Sequence, residues 1–153
     1  MNEKLNQAVI NAIEEIFQTM LGIKVNSKLP KEKFIDEVKY ELNVVISIVG
    51  ELTGTITLKG TRKLASVIAS KMINEEVDEK SDDIMDAIGE FLNIIMGAVM
   101  RHYSSDNAFD ISVPTVIMGD DYLVYTKASK NDKVSIIDFD NNENHFCIEI
   151  YLK

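Results

Sequence analysis

The segment from residue 82 to residue 102 constrains the fold most, because its pattern requires a long helix with two different faces. Apolar residues recur there at the spacing of one buried helical face, at Ile84, Ile88, Phe91, Leu92, Ile95 and Val99. The opposite face carries a polar stripe made of Asp86, Glu90, Asn93 and Gly97. These residues lie within roughly 60° on a helical wheel of about 100° per residue. The helix therefore needs a core on one side and presents this polar stripe on the other.

The polar stripe is an unusual composition for a solvent-exposed helix face. Exposed helix positions normally hold Lys, Arg, Glu or Gln, which lose little side-chain freedom there. Asp86 and Glu90 instead form a like-charge i,i+4 pair, and Asn93 and Gly97 have low helix propensity. Each choice disfavours the helix by a few tenths to about 1 kcal/mol. The stripe therefore indicates a surface kept for contact with another molecule, with a plain solvated face as the alternative.

Composition excludes several classes of protein. The chain has 153 residues, a net charge of −9 and one cysteine, Cys147. The negative charge argues against a surface for nucleic acid or an anionic membrane. No apolar run reaches the ~18 residues of a membrane span, and residues 2–4 lead into an amphipathic helix without a signal-peptide core. A single cysteine excludes an intrachain disulfide and fits a cytoplasmic protein, with Cys147 as a small core residue.

Hydrophobic periodicity and turn residues predict a single α+β domain over residues 1–153. The predicted helices cover residues 2–21, 61–74 and 82–102, with Thr61 and Ser81 as N-terminal caps and Gly22 as a C-terminal cap. The predicted strands cover residues 23–29, 38–48, 53–58, 111–118, 122–127, 134–139 and 145–152. This order favours long helices packed on a mainly antiparallel sheet.

The two halves of the chain, about 1–75 and 76–153, show a weak internal repeat. Residues 11–18 align with residues 86–93 at a constant offset (86 − 11 = 75), and the same offset relates Gly22 to Gly97. Glu15 and Gln18 then correspond to Glu90 and Asn93. Two α-β units around a pseudo-twofold axis would explain the repeat, and the shared apolar spacing of any two amphipathic helices is the alternative.

Glu90 and Asn93 are the strongest candidates for function. They are three residues apart on a predicted helix, so both side chains leave it in the same direction. The sequence offers no Ser/His/Asp or Cys/His set for nucleophilic catalysis beside them. An amide can hold a water by donating and accepting at once, and a carboxylate can pair with a lysine. The pair therefore fits a protein that positions water for attack on a phosphoryl group held by another protein.

Through these residues the chain resembles the CheC/CheX/FliY phosphatases of bacterial chemotaxis, and the CheX type most closely. The motif of that family is Asp or Ser, three residues, Glu, two residues, Asn, and a Pro some twenty residues later. Here the motif residues are Asp86, Glu90, Asn93 and Pro114. The order of elements and the predicted hairpin at residues 50–54 extend the resemblance over nearly the whole chain.

The resemblance implies a CheC-like fold with a pseudo-twofold repeat, and an enzyme that hydrolyses the aspartyl-phosphate of a CheY-type response regulator. It implies that Asn93 orients the attacking water and that Glu90 anchors the regulator. Asp86 and Gly97 of the same stripe are expected to touch the partner, and Glu15 and Gln18 are expected to be a degenerate second site. The resemblance further implies a homodimer, with Mg²⁺ on the regulator and neither cofactor nor metal on this chain.

Two other classes of function stay open. The first is a catalytically silent adaptor of the same fold, which binds a response regulator or is related to the flagellar switch. Glu90 and Asn93 disfavour it, because a silent protein has no reason to keep both. The second is an unrelated metabolic enzyme, which the absence of a Gly-rich phosphate loop, a metal cluster and a nucleophile set disfavours.

Overall fold

The computed structural model describes residues 1–34, 38–104, 108–124, 126–127, 129 and 131–153. The helices are α1 (Glu3–Ile16), continued by a π-helical turn (Phe17–Leu21), α2 (Arg62–Ile73) and α3 (Asp83–Tyr103). The strands are β1 (Asn26–Ser27), β2 (Lys31–Lys33), β3 (Tyr40–Gly50), β4 (Gly54–Gly60), β5 (Phe109–Ile111), β6 (Thr115–Tyr122), β7 (Val134–Asp140) and β8 (His145–Leu152). Among the described residues, no helix is long and apolar enough to cross a membrane.

Thr61 and Gly22 are the caps that the sequence predicts, whereas the N-cap residue of α3 is Asp82 and not Ser81. The Thr61 hydroxyl accepts a hydrogen bond from the backbone N–H of Leu64 at 3.1 Å, and the Ser81 hydroxyl accepts one from the N–H of Asp83 at 3.3 Å. Gly22 follows the π-helical turn at φ 67°, in the left-handed conformation that glycine adopts without steric cost. Local residues therefore set where α2 and α3 begin and where the first helical segment ends.

The strands form one eight-stranded sheet in which all described pairs are antiparallel, in the order β1-β7-β8-β4-β3-β5. In addition, β2 pairs with β7 and β6 pairs with β3. The short strands β1 and β2 of the first half thus pair with β7 of the second half. In the same way, β5 and β6 of the second half pair with β3 of the first half, and β4 and β8 lie at the centre of the sheet. This exchange gives the sheet the pseudo-twofold symmetry that the repeat predicts, and it confirms the predicted α+β class.

The three helices cover one face of the sheet, where the main hydrophobic core lies. Phe17 is fully buried in this core. Its ring meets that of Phe91 edge-on, with centroids 5.4 Å apart, and stacks on that of Phe146 at 4.9 Å. Phe91 belongs to α3 and Phe146 to β8, so this cluster holds α3 in a fixed orientation on the central strands.

The other face of the sheet carries a smaller cluster and a buried ion pair. The cluster consists of Val134, Ile136, Cys147 and Tyr151, and Cys147 is fully buried, as predicted. Beside it, Lys59 Nζ of β4 lies 2.8 Å from Glu149 Oε2 of β8. The segment that follows β6 crosses this face, because the carbonyl of Val124 accepts a hydrogen bond from Lys59 Nζ at 3.3 Å. Sequence analysis did not predict this ion pair.

Three predicted strands are wrong: those at residues 23–29, 111–118 and 122–127. Residues 23–29 do not form one strand, since only β1 and β2 pair with β7, on either side of Pro30. The strand predicted at residues 122–127 is absent from the described residues beyond Tyr122, where the chain leaves the sheet to contact the Lys59–Glu149 pair. The strand predicted at residues 111–118 is split in two, because β5 ends at Ile111 and β6 begins only at Thr115, after Pro114. The first helical segment ends at Leu21, as predicted, but its last turn is π-helical.

Candidate functional site

The structure presents the polar stripe of α3 on the side opposite to its buried face. The side chains of Asp86, Glu90 and Asn93 are exposed, and Gly97 is half-buried. Within the described part of the chain, none of the three polar side chains makes a hydrogen bond or an ion pair. These side chains are therefore available to an external partner.

Asp86, Glu90 and Asn93 of the polar stripe lie on one wall of a shallow depression of about 420 Å³. The other wall is the start of β6 and the residues before it, and the lining residues are Met85, Asp86, Gly89, Glu90, Asn93, Val113, Pro114 and Val116. A Cβ atom added to Gly89 would lie 3.8 Å from Pro114 Cγ, so the proline packs against the helix backbone at this glycine. The fold thus brings Pro114 beside Glu90 and Asn93, although it is some twenty residues away in sequence.

Gly97 lies on the line of the polar stripe but outside the depression. No atom lies within 4 Å of the position that a Cβ of residue 97 would take. Packing within the described structure therefore does not require a glycine there. The open space above Gly97 leaves a bare patch of helix surface one turn beyond Asn93.

Sequence analysis missed the apolar side of the depression. Met85 is 39% exposed and Val113 is 85% exposed, and both line the depression beside Glu90 and Asn93. Val113 stands outside any helical periodicity, so no pattern marks it. The one signal that could have found it is its position before Pro114, because a residue before proline is held in an extended conformation.

The candidate second site, Glu15 and Gln18, has a different environment. Glu15 is half-buried, and its Oε2 atom lies 3.1 Å from Arg101 Nη2 and 3.6 Å from His102 Nε2. The hydrogen bond from Arg101 holds the pKa of Glu15 below its usual value. Gln18 is exposed on the π-helical turn, where the wider winding changes its direction relative to Glu15. Glu15 therefore joins α1 to the end of α3.

A second depression of about 660 Å³ lies along α1, between this helix and residues 27–30. Leu29 precedes Pro30 there as Val113 precedes Pro114, and Leu29 is 86% exposed. The side chain of Asn6 lines this depression but is only 3% exposed. The two depressions therefore share an exposed apolar residue before a proline. They differ in their Asn side chain, because Asn93 beside the depression along α3 is exposed whereas Asn6 is buried.

The chemistry available at the α3 depression is that of positioning. A carboxylate and a carboxamide project into it from a rigid helix, and neither is held by another group of the described chain. The carboxylate can bind a lysine, and the amide can both donate to and accept from a water or a phosphoryl group. Among the described residues, no group of three or more His, Cys, Asp and Glu side chains is placed to hold a metal ion.

Helices on one face of a pseudo-twofold antiparallel sheet give this chain the fold of CheC-like proteins. The family described as chemotaxis phosphatase CheX matches residues 42–140, which is more than half of the chain. The chain therefore belongs to the CheX family of chemotaxis phosphatases.

Solved structures agree with this family. The chemotaxis protein CheX from Desulfovibrio desulfuricans is 26% identical, with 97% of this chain and 99% of that chain covered and a TM-score of 0.87. A putative chemotaxis protein from Desulfovibrio vulgaris Hildenborough is 27% identical, with 97% and 96% covered and a TM-score of 0.83. CheX in the CheX–CheY–BeF3–Mg²⁺ complex from Borrelia burgdorferi shares the fold at 20% identity, with 97% of each chain covered and a TM-score of 0.75. Among curated proteins, none matches this chain.

Proposed function

We propose that this protein hydrolyses the aspartyl-phosphate of a CheY-type response regulator, with α3 inserted against the regulator's active site. The observation that carries the proposal is the pair Glu90 and Asn93, exposed and without partners in the described structure, at the edge of a depression that can receive a partner. The CheX family to which the chain belongs is a family of chemotaxis phosphatases.

Asn93 is proposed to orient the attacking water. Its amide oxygen accepts a hydrogen bond from the water, and its Nδ2 donates to the same water or to a phosphoryl oxygen. The water oxygen then forms a bond to phosphorus in line with the bond to the aspartate oxygen, which breaks. Inorganic phosphate leaves, and the regulator regains its carboxylate. Asn93 gains or loses no proton in this step, so its contribution is geometric.

Glu90 is proposed to anchor the regulator. Its carboxylate lies one helical turn before Asn93 on the same face, so a lysine bound to Glu90 places the phosphoryl group next to the Asn93 amide. Asp86, one turn further back, adds negative charge to the same surface. Gly97 leaves open space where the partner backbone can approach the helix.

The regulator is proposed to bring its own Mg²⁺. CheX of Borrelia burgdorferi forms a complex with CheY, BeF3 and Mg²⁺, and it shares this fold. A cation held on the regulator would neutralise charge on the phosphoryl oxygens, while this chain supplies the water-orienting amide. Chelation of Mg²⁺ should therefore abolish accelerated hydrolysis without changing the thermal stability of this protein.

A homodimer is proposed as the working assembly. The outer strands of the sheet, β1 and β2 on one side and β5 and β6 on the other, offer backbone groups that a second copy can pair with. Light scattering of the purified protein should give twice the chain mass, and a monomer at all concentrations would contradict this part of the proposal.

The test measures phosphate release from a panel of phosphorylated CheY-type regulators with wild-type protein, Asn93→Ala and Glu90→Ala. Asn93→Ala should bind the regulator but lose about 10²-fold or more of the accelerated rate, the usual loss when a positioned hydrogen-bond group is removed. Glu90→Ala should weaken both binding and rate. Gln18→Ala is the matched control, because it removes the corresponding amide of the first half and should keep full activity.

Each outcome discriminates between the classes of function. Full activity in both α3 variants would refute the proposed mechanism. If Gln18→Ala were inactive while Asn93→Ala kept full activity, the site would lie in the other half. A regulator that binds the wild-type protein without faster hydrolysis would identify the silent adaptor.

A further inference from the structure

An exposed apolar pair borders the proposed catalytic stripe, and the described structure gives it no use. Val113 and Met85 line the same depression as Glu90 and Asn93, from opposite walls. Apolar groups of this size tend to be covered in a folded protein, because each buried CH₂ group is worth about 0.8 kcal/mol. Because they line one depression together with Asn93, a partner that fills this depression also covers them.

The backbone around Val113 is held rigidly. The Ser112 N–H donates to the carbonyl of Ser47 at 2.9 Å, and the Ser47 N–H donates to the Ser112 hydroxyl at 2.9 Å. The same hydroxyl donates to the carbonyl of Val113 at 3.1 Å. Pro114 restricts Val113 to an extended conformation, and a β-branched side chain has few rotamers. Val113 is thus a fixed apolar projection, which loses little conformational entropy when it is covered.

We propose that Val113, with Met85, is a specificity-determining contact for the phosphorylated regulator, and this inference rests on the proposed function. The occupant is an apolar side chain on the regulator surface beside its phospho-aspartate. The position of the apolar pair supports this occupant. Val113 and Met85 line the same depression as Glu90 and Asn93, so one surface of the regulator would contact all of them. The apolar contact positions the phosphoryl group of the regulator next to Asn93, whereas Glu90 and Asn93 carry out the proposed anchoring and water orientation. Regulators that carry a charged group at this place would be rejected, because that charge would be desolvated without a partner.

The experiment compares the concentration dependence of phosphate release for wild-type protein, Val113→Ser and Met85→Ser. Val113→Ser should raise the KM for the phosphorylated regulator about tenfold, the factor that corresponds to about 1.4 kcal/mol of lost contact, and should leave kcat within about twofold. Met85→Ser should raise KM in the same direction. Val113→Ile should keep the wild-type KM, because it preserves the apolar contact.

Leu29→Ser is the matched control for Val113→Ser. Leu29 also precedes a proline and is equally exposed, but it belongs to the depression along α1. It should keep the wild-type KM. An unchanged KM in both Val113→Ser and Met85→Ser, or an equal rise in Leu29→Ser, would overturn the inference while leaving the phosphatase proposal intact. A wild-type protein that accelerates hydrolysis of no regulator in the panel would instead refute the proposed function, and this inference with it.

Discussion

Replacement of Lys59 by Met is the perturbation whose effect the structure defines most sharply. Lys59 is 1% exposed and its partner Glu149 is 6% exposed, with 2.8 Å between Nζ and Oε2. Met has a similar length to Lys and fills the same space without the charge. After the substitution, the Glu149 carboxylate keeps one described neutral partner, the Thr126 hydroxyl at 3.4 Å. The substitution therefore leaves a buried carboxylate without its counter-charge.

The expected loss of stability is large. Removal of one partner of a buried ion pair costs about 3–5 kcal/mol, out of a total of about 5–15 kcal/mol for a domain. At roughly 2–4 °C per kcal/mol for a chain of this size, the unfolding midpoint should fall by about 6–20 °C. The double variant Lys59→Met/Glu149→Leu should recover most of this loss, because an apolar pair of similar volume can replace a buried ion pair without net cost.

Urea denaturation followed by circular dichroism measures the free energy of unfolding of each variant, and thermal unfolding gives its midpoint temperature. Lys63→Met is the matched control, because Lys63 is exposed on α2 and its replacement should change the free energy of unfolding by less than about 0.5 kcal/mol. If Lys59→Met changed the free energy of unfolding as little as Lys63→Met does, the argument that a buried unpaired carboxylate destabilises the protein would be refuted. A double variant no more stable than Lys59→Met would refute the assignment of the loss to the unpaired carboxylate.

Two smaller predictions concern the helices. Gly97→Ala should raise the free energy of unfolding by about 1 kcal/mol, because alanine favours a helix and its Cβ would meet no atom within 4 Å. A lower stability in urea denaturation would contradict the open space at this position. Weaker binding of the regulator to this variant would support a contact at Gly97. Glu15→Gln should lower stability by at most about 1 kcal/mol at pH 7. Because the folded state lowers the pKa of Glu15, this contribution is present above the unfolded pKa and lost as pH falls through the folded pKa. The difference from wild type should therefore shrink as the pH is lowered below the usual pKa of a glutamate, and a difference that stayed constant would refute the role of the carboxylate charge.

The sequence predicted best what depends on neighbouring residues. The buried and polar faces of α3 follow from a period of 3.6 residues, and the caps Thr61 and Gly22 act on backbone groups within one turn. Where long-range contacts decided, prediction was wrong or silent. The sequence after Tyr122 predicts a strand, but in the structure this segment leaves the sheet, and the carbonyl of Val124 accepts a hydrogen bond from Lys59 of the buried ion pair.

By itself, the sequence determined the α3 helix, the polar stripe on it and the α+β class, because periodicity and capping are encoded in residues that are close along the chain. Only the tertiary structure decided that the short strands of each half pair with a long strand of the other, and that Lys59 and Glu149 meet. It also decided that Pro114 and Val113 stand beside Glu90 and Asn93. These contacts join residues from some twenty to more than a hundred positions apart, and their geometry is set by how the whole sheet packs against its helices.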